Sequence, residues 1–211
     1  MNLLRILNKR DVFLGVLGGI LAFLLTGFLY FTVRIIYKPF IDFIAGGAPL
    51  SLFIYLFLYS PITEELLKYF GFKFFSGKSN KVKWVGQILI VSIVFTILEH
   101  LMYCLAGGAQ FTPLRFLSLV HPAASIILIY FILLNKPFLG FLFSILFHGA
   151  YNFIPNLFSP NWVNGLSHFG QSVFTIGIIV FLFVIPLIII IVLFKRSSSL
   201  LLNKTTSNLI T

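Results

Sequence analysis

Acidic residues are the scarcest functional groups in this chain. Five Asp and Glu stand against fifteen Lys and Arg in 211 residues, and charged residues of both signs make up only 9%. Water-soluble domains carry about 25% charged and about 45–50% apolar residues. Here 59% of residues are hydrophobic, 27 of them Phe, and the mean hydropathy is +1.06. Too few polar side chains remain to cover a water-facing surface, which excludes a soluble globular fold. Cysteine is nearly absent as well. The single Cys104 rules out an intrachain disulfide and any Cys-based zinc cluster. There is also no Arg-rich stripe with interleaved aromatics, so the net charge of +10 does not point to nucleic acid. No HExxH occurs, which excludes a zincin-type helix. Neither an internal repeat nor a separable second domain is visible.

What is present is a series of apolar runs. Six of them, near 12–35, 48–72, 84–106, 113–134, 137–156 and 169–194, are each close to the roughly 20 helical residues that cross a hydrocarbon core. The expected fold is therefore all-α, a polytopic bundle of about six transmembrane helices in the cell membrane, forming one domain over 1–196. Residues 197–211, rich in Ser, Thr and Asn, read as a loosely ordered polar tail. The first run, preceded by Arg5, Lys9 and Arg10, has no convincing small-x-small cleavage site and reads as an uncleaved span. Pro61 should kink the second span. With the N-terminus inside, eleven basic residues fall in cytoplasmic segments and only Arg34, Lys38 and Arg115 on the other side. That bias places both termini in the cytoplasm.

Against this apolar background the polar residues inside the spans stand out. Burying a carboxylate in a membrane is costly and by default marks function, yet Glu64, Glu65 and Glu99 all sit in or against apolar stretches. Lys68 lies four residues after Glu64 and three after Glu65, on a helical face shared with both. Two adjacent buried carboxylates repel, which prepares one of them for proton transfer. Tyr103, one turn after Glu99, can offer its phenol to that carboxylate, while neighbouring His100 points to another face and reads as a satisfied core histidine. His121 and His148 follow on the fourth and fifth spans, with Ser125 and Asn152 one turn beyond each. At 1.5 Å per residue these groups fall at comparable depths, roughly 12–22 Å from the cytoplasmic ends. Glu99, His121 and His148 make an acceptable zinc set with water completing the tetrahedron. Glu64 or Glu65 would then act as general base, and Asn152 or Ser125 would stabilise an oxyanion.

These motifs resemble the PrsW-type intramembrane proteases, within the CPBP group that includes the type II CAAX proteases. Glu64-Glu65-x-x-Lys68 resembles the first motif, a paired Glu followed by a basic residue. Phe95-x-x-x-Glu99 resembles the second in its PrsW form. Arg115 followed by His121 resembles the third, and His148-x-x-x-Asn152 the fourth. His100 stands where PrsW proteins usually have Asn. The resemblance covers roughly residues 60–155 and implies an intramembrane endopeptidase. Its substrate would be a membrane-anchored protein or peptide, cleaved by zinc-bound water or by a metal-free Glu/His route. Two other classes stay open. A proton-coupled transporter would use the buried Glu and His as a relay but should show two matching halves. A non-catalytic scaffold or protection protein should have lost a motif residue.

Overall fold

Asn8 and Asp11 start the first helix as a reciprocal cap. The Asp11 amide donates to Asn8 Oδ1 (2.8 Å) and the Asn8 amide to Asp11 Oδ2 (3.1 Å), which satisfies donors that a helix start leaves unpaired. The computed structural model describes residues 7–36, 50, 53–76, 81–105, 119–157, 180–207 and scattered positions between 167 and 177. Among them six α-helices follow in order: α1 (Lys9–Ile36), α2 (Ser60–Ser76), α3 (Lys81–Leu105), α4 (Val120–Leu133), α5 (Pro137–Leu157) and α6 (Ile185–Ser207). No strand occurs among the described residues, so the all-α class is observed. Two stretches, Lys9–Thr32 of α1 and Lys83–Leu105 of α3, are long and apolar enough to cross a membrane. The apolar helices α4 and α5 are shorter.

Polarity in the bundle is inverted relative to a water-soluble domain. Phe13, Leu24, Phe28 and Phe31 of α1 and Phe74 of α2 face outward, each at least 60% exposed, whereas Glu64, Glu65, Lys68, His121 and His148 are buried. Water would penalise such a surface; a hydrocarbon environment does not.

The helices run alternately up and down. Lys83 at the start of α3 reaches Asp11 at the start of α1 (2.7 Å), and Lys73 at the end of α2 lies over the Trp84 ring (4.1 Å). These contacts gather basic side chains at one end. Gly18 of α1 and Gly71 of α2 bring two backbones together: a Cβ on Gly18 would stand 2.9 Å from the Gly71 carbonyl oxygen. Small residues permit such approach where helices pack in lipid. The α4–α5 hairpin turns at Asn135, which adopts a positive φ of 60°, as Asn tolerates better than most residues.

α4 is the axis of the bundle. Only Tyr130, Phe131 and Ile132 of its residues escape full burial. Its Ile126, Ile129 and Leu133 join Phe72, Val85, Ile88 and Val91 in an apolar core toward the basic end, leaving the polar residues to meet at the opposite end of α4.

Three local features add detail to the sequence expectation. Pro61 lacks the N–H that would return to the Phe57 carbonyl. The preceding turn is wound as a π-helix over Ile54–Tyr59, with the Ser60 amide donating to the Tyr55 carbonyl. α6 continues to Ser207, into the stretch read as a loosely ordered tail, and residues 208–211 lie outside the described residues. The expected sixth span contains a second π-helical stretch, Val180–Val184, ahead of α6. Most of the chain before α4 in the expected fourth span, including Arg115, lies outside the described residues.

Candidate metal centre

Three lone-pair atoms converge where α2, α4 and α5 pack. Glu64 Oε2 lies 3.7 Å from His121 Nδ1 and 3.5 Å from His148 Nε2. One ligand-type atom from each residue falls within 4.8 Å of the other two. Donor atoms around a tetrahedral zinc stand about 3.3 Å apart, given bonds of about 2.0–2.1 Å, so this spacing is close to what a shared ion requires. The two imidazole rings are nearly perpendicular (86°) with centroids 4.7 Å apart.

A carboxylate holds the far nitrogen of each ring. His121 Nε2 is 2.7 Å from Glu99 Oε2, and His148 Nδ1 is 2.8 Å from Glu65 Oε1. An ionised carboxylate only accepts, so the imidazole protons sit on those outer nitrogens. The inner nitrogens, His121 Nδ1 and His148 Nε2, are left with lone pairs facing Glu64. Carboxylates behind metal-ligating histidines fix tautomer and ring orientation in this way.

Charge points the same way. Three carboxylates, Glu64, Glu65 and Glu99, meet the single ammonium of Lys68 in this cluster. Of the four charged residues only the Glu99 side chain is appreciably exposed, at 18%. Opposite charges attract strongly where water is excluded, so this excess of carboxylates suits a divalent cation. Glu64 Oε2 and Glu65 Oε2 are also buried with no hydrogen-bond partner among the described residues. The first of these is the atom facing both histidines. α4 begins at Val120, so the positive end of its dipole lies beside the carboxylates. On donor type, spacing and charge, the residues fit a zinc ion.

Lys68 completes the cluster. Its ammonium donates to Glu65 Oε1 (2.5 Å), lies 3.2 Å from His121 Nδ1 and stands 5.5 Å from the centre of the Phe95 ring.

The structure thus brings together Glu64, Glu65, Lys68, Glu99, His121 and His148, all expected from sequence, but in a different arrangement. Glu64, not Glu99, is the carboxylate that shares a three-atom group with the histidines. Glu99 stands behind His121, and Glu65 behind His148. Asn152 follows His148 by one turn and is half-buried. Ser125 receives the Ser92 hydroxyl (2.5 Å) and so ties α4 to α3. Tyr103 lies at the exposed surface of α3. His100 is buried and bonded to the Thr96 carbonyl (2.7 Å), as a core histidine should be.

Two contributors escape sequence reasoning. Tyr30 of α1 donates its hydroxyl to Glu64 Oε1, and Ser60 Oγ donates to the same oxygen (2.6 Å). Ser60, one turn before Glu64, is legible from its spacing. Tyr30 is one of eight tyrosines, and nothing local marks it.

Comparison of the chain with protein-family models, with curated proteins and with solved structures finds no match in any of the three.

Proposed function

We propose that this chain is a PrsW-like intramembrane endopeptidase. It crosses the cell membrane six times with both termini in the cytoplasm. It hydrolyses a peptide bond of a membrane-embedded or juxtamembrane substrate at a zinc centre of Glu64, His121 and His148. The observation that carries this reading is the facing of Glu64 Oε2 by two imidazole nitrogens whose outer partners are carboxylates. Outward-facing Phe and Leu side chains on α1 support membrane insertion.

A bound zinc ion would supply Lewis-acid polarisation of a peptide carbonyl and of water. The remaining work falls to the protein. Glu65, with Oε1 taken by Lys68 and His148, keeps Oε2 without a hydrogen bond and takes the proton from the attacking water. It returns that proton to the leaving amine, so that water adds across the C–N bond. Lys68 donates to Glu65 Oε1 and fixes that carboxylate in place, and Asn152 offers its amide to the carbonyl oxygen as negative charge develops there. Glu99 is the least buried carboxylate of the cluster, so substrate approaches along its side of α3.

The test joins metal content to cleavage. Detergent-purified wild type should carry close to one zinc per chain by inductively coupled plasma mass spectrometry, and His148→Ala should carry none. Wild type in liposomes should cut a reporter peptide fused to a single membrane-spanning helix, and Glu65→Gln should not. Metal-free wild type that still cuts the reporter would replace zinc with a direct Glu/His route. Zinc binding without any cleavage would favour the scaffold class.

A further inference from the structure

We infer that Tyr30 is a positioning residue, which through its hydroxyl and that of Ser60 makes Glu64 a one-oxygen metal ligand. This deepens the proposed zinc centre and rests on it. A glutamate side chain ends in a torsion with broad, roughly two-fold freedom, so either or both oxygens of Glu64 can turn toward the histidines. The structure removes that freedom. Tyr30 and Ser60 both reach Oε1, the two hydroxyls are 2.7 Å apart, and Oε2 is left facing His121 and His148. The two hydroxyl protons serve three short contacts among Tyr30, Ser60 and Glu64 Oε1, so at least one is donated to that oxygen, which draws charge onto it and leaves Oε2 as the ligand atom.

Tyr30 is itself held. Its ring packs against Tyr59 (5.8 Å between centroids) and Tyr55 (6.1 Å), which come from the π-helical stretch ahead of Ser60. α1 contributes no ligand, yet it sets the orientation of one. Such outer partners typically change metal affinity about 10–100-fold.

The test titrates cobalt(II) into full-length, detergent-purified, metal-free protein and follows its visible absorption, which weakens as coordination number rises. Tyr30→Phe and Ser60→Ala should each lower cobalt affinity about 10–100-fold. The double variant should lose less than the product of the two effects, because both hydroxyls act on one oxygen. Cobalt absorption at saturation should also weaken in the double variant, as the freed carboxylate swings to bind through two oxygens. Tyr59→Phe removes a hydroxyl of the same ring cluster that points to the Leu29 carbonyl (3.5 Å), and should match wild type.

Wild-type affinity and absorption in both Tyr30→Phe and Ser60→Ala would overturn the inference while leaving the metal centre standing. Equal weakening in Tyr59→Phe would overturn it too, by showing a general packing effect. If Tyr30→Phe fails to fold, Ser60→Ala decides alone, since it takes the second donor from the same oxygen. Absence of cobalt binding in wild type would overturn the metal centre and the role of Tyr30 together.

Discussion

The Lys68 ammonium lies 3.2 Å from His121 Nδ1, on the nitrogen whose lone pair faces Glu64. Lys68 therefore occupies a direction that a metal ion would need, while also neutralising Glu65 at 2.5 Å. Removing its charge should have two opposite effects. Lys68→Gln leaves the buried Glu65 without its counter-charge, which should lower stability by about 3–5 kcal/mol in metal-free protein. The same change removes a positive charge beside the metal position, so zinc affinity should rise about tenfold or more. Thermal unfolding in detergent, with and without saturating zinc, reads both. The zinc-induced gain in melting temperature should be larger in Lys68→Gln than in wild type. A smaller gain would mean that Lys68 supports the site chiefly by holding Glu65 and His148 in place.

Glu64 and Glu99 should separate cleanly on substitution. Glu64→Gln replaces the carboxylate facing both inner nitrogens and should abolish stoichiometric zinc. Glu99→Gln changes the partner of the outer nitrogen of His121, and should lower zinc affinity about 10–100-fold while leaving saturation reachable. Equilibrium dialysis against buffered zinc measures both. If Glu99→Gln abolished zinc and Glu64→Gln kept it, the ligand roles would return to the arrangement expected from sequence.

Why the sequence exposes the cluster but not its wiring is clear at these residues. Carboxylates, histidines and a lysine inside apolar runs are conspicuous because burial is expensive there, so Glu64, Glu65, Lys68, Glu99, His121 and His148 can all be singled out without coordinates. Helical class follows from the same runs. Which carboxylate faces the histidines depends on helix rotation, and adjacent positions such as Glu64 and Glu65 differ by about 100°. A few residues of error in a helix boundary also blur depth, so Glu99 looks as well placed as Glu64. Tyr30 reaches Glu64 across 34 positions of sequence, a contact that no periodicity encodes. The helical continuation to Ser207 is hidden for another reason: the polar composition after Arg196 predicts no packing partner, and α6 carries on regardless.

Gly149, next to His148, should be intolerant of any side chain. A Cβ there would collide with the Phe57 carbonyl and its flanking backbone atoms. That carbonyl belongs to the π-helical stretch before Pro61, where neither partner can yield without rewinding a turn. Gly149→Ala should cost about 1–3 kcal/mol through overpacking, and should weaken zinc binding by shifting His148. Gly27→Ala, at a position with open space, should leave both the melting temperature and zinc binding near wild type, which makes it the matching control. Equal melting temperatures and zinc affinities for the two variants would show that α5 does not need this close approach.

Cys104 gives the proposed six-span topology a test that needs no substitution. It is the single cysteine of the chain, is half-buried, and sits one residue before the end of α3. α3 starts at the end of the bundle where Asp11 meets Lys83 and Lys73 covers Trp84, and runs from there toward the opposite end. If basic residues mark the cytoplasmic side, Cys104 lies near the outer surface. A membrane-impermeant maleimide should then label it in sealed right-side-out vesicles and not in inside-out ones. A Lys81→Cys, Cys104→Ala variant places the thiol at the other end of the same helix and should show the reverse pattern. Labelling of both positions from one side would mean that α3 does not cross the bilayer. Labelling of each from the side opposite to that expected would invert the topology, with both termini outside and the basic end facing away from the cytoplasm.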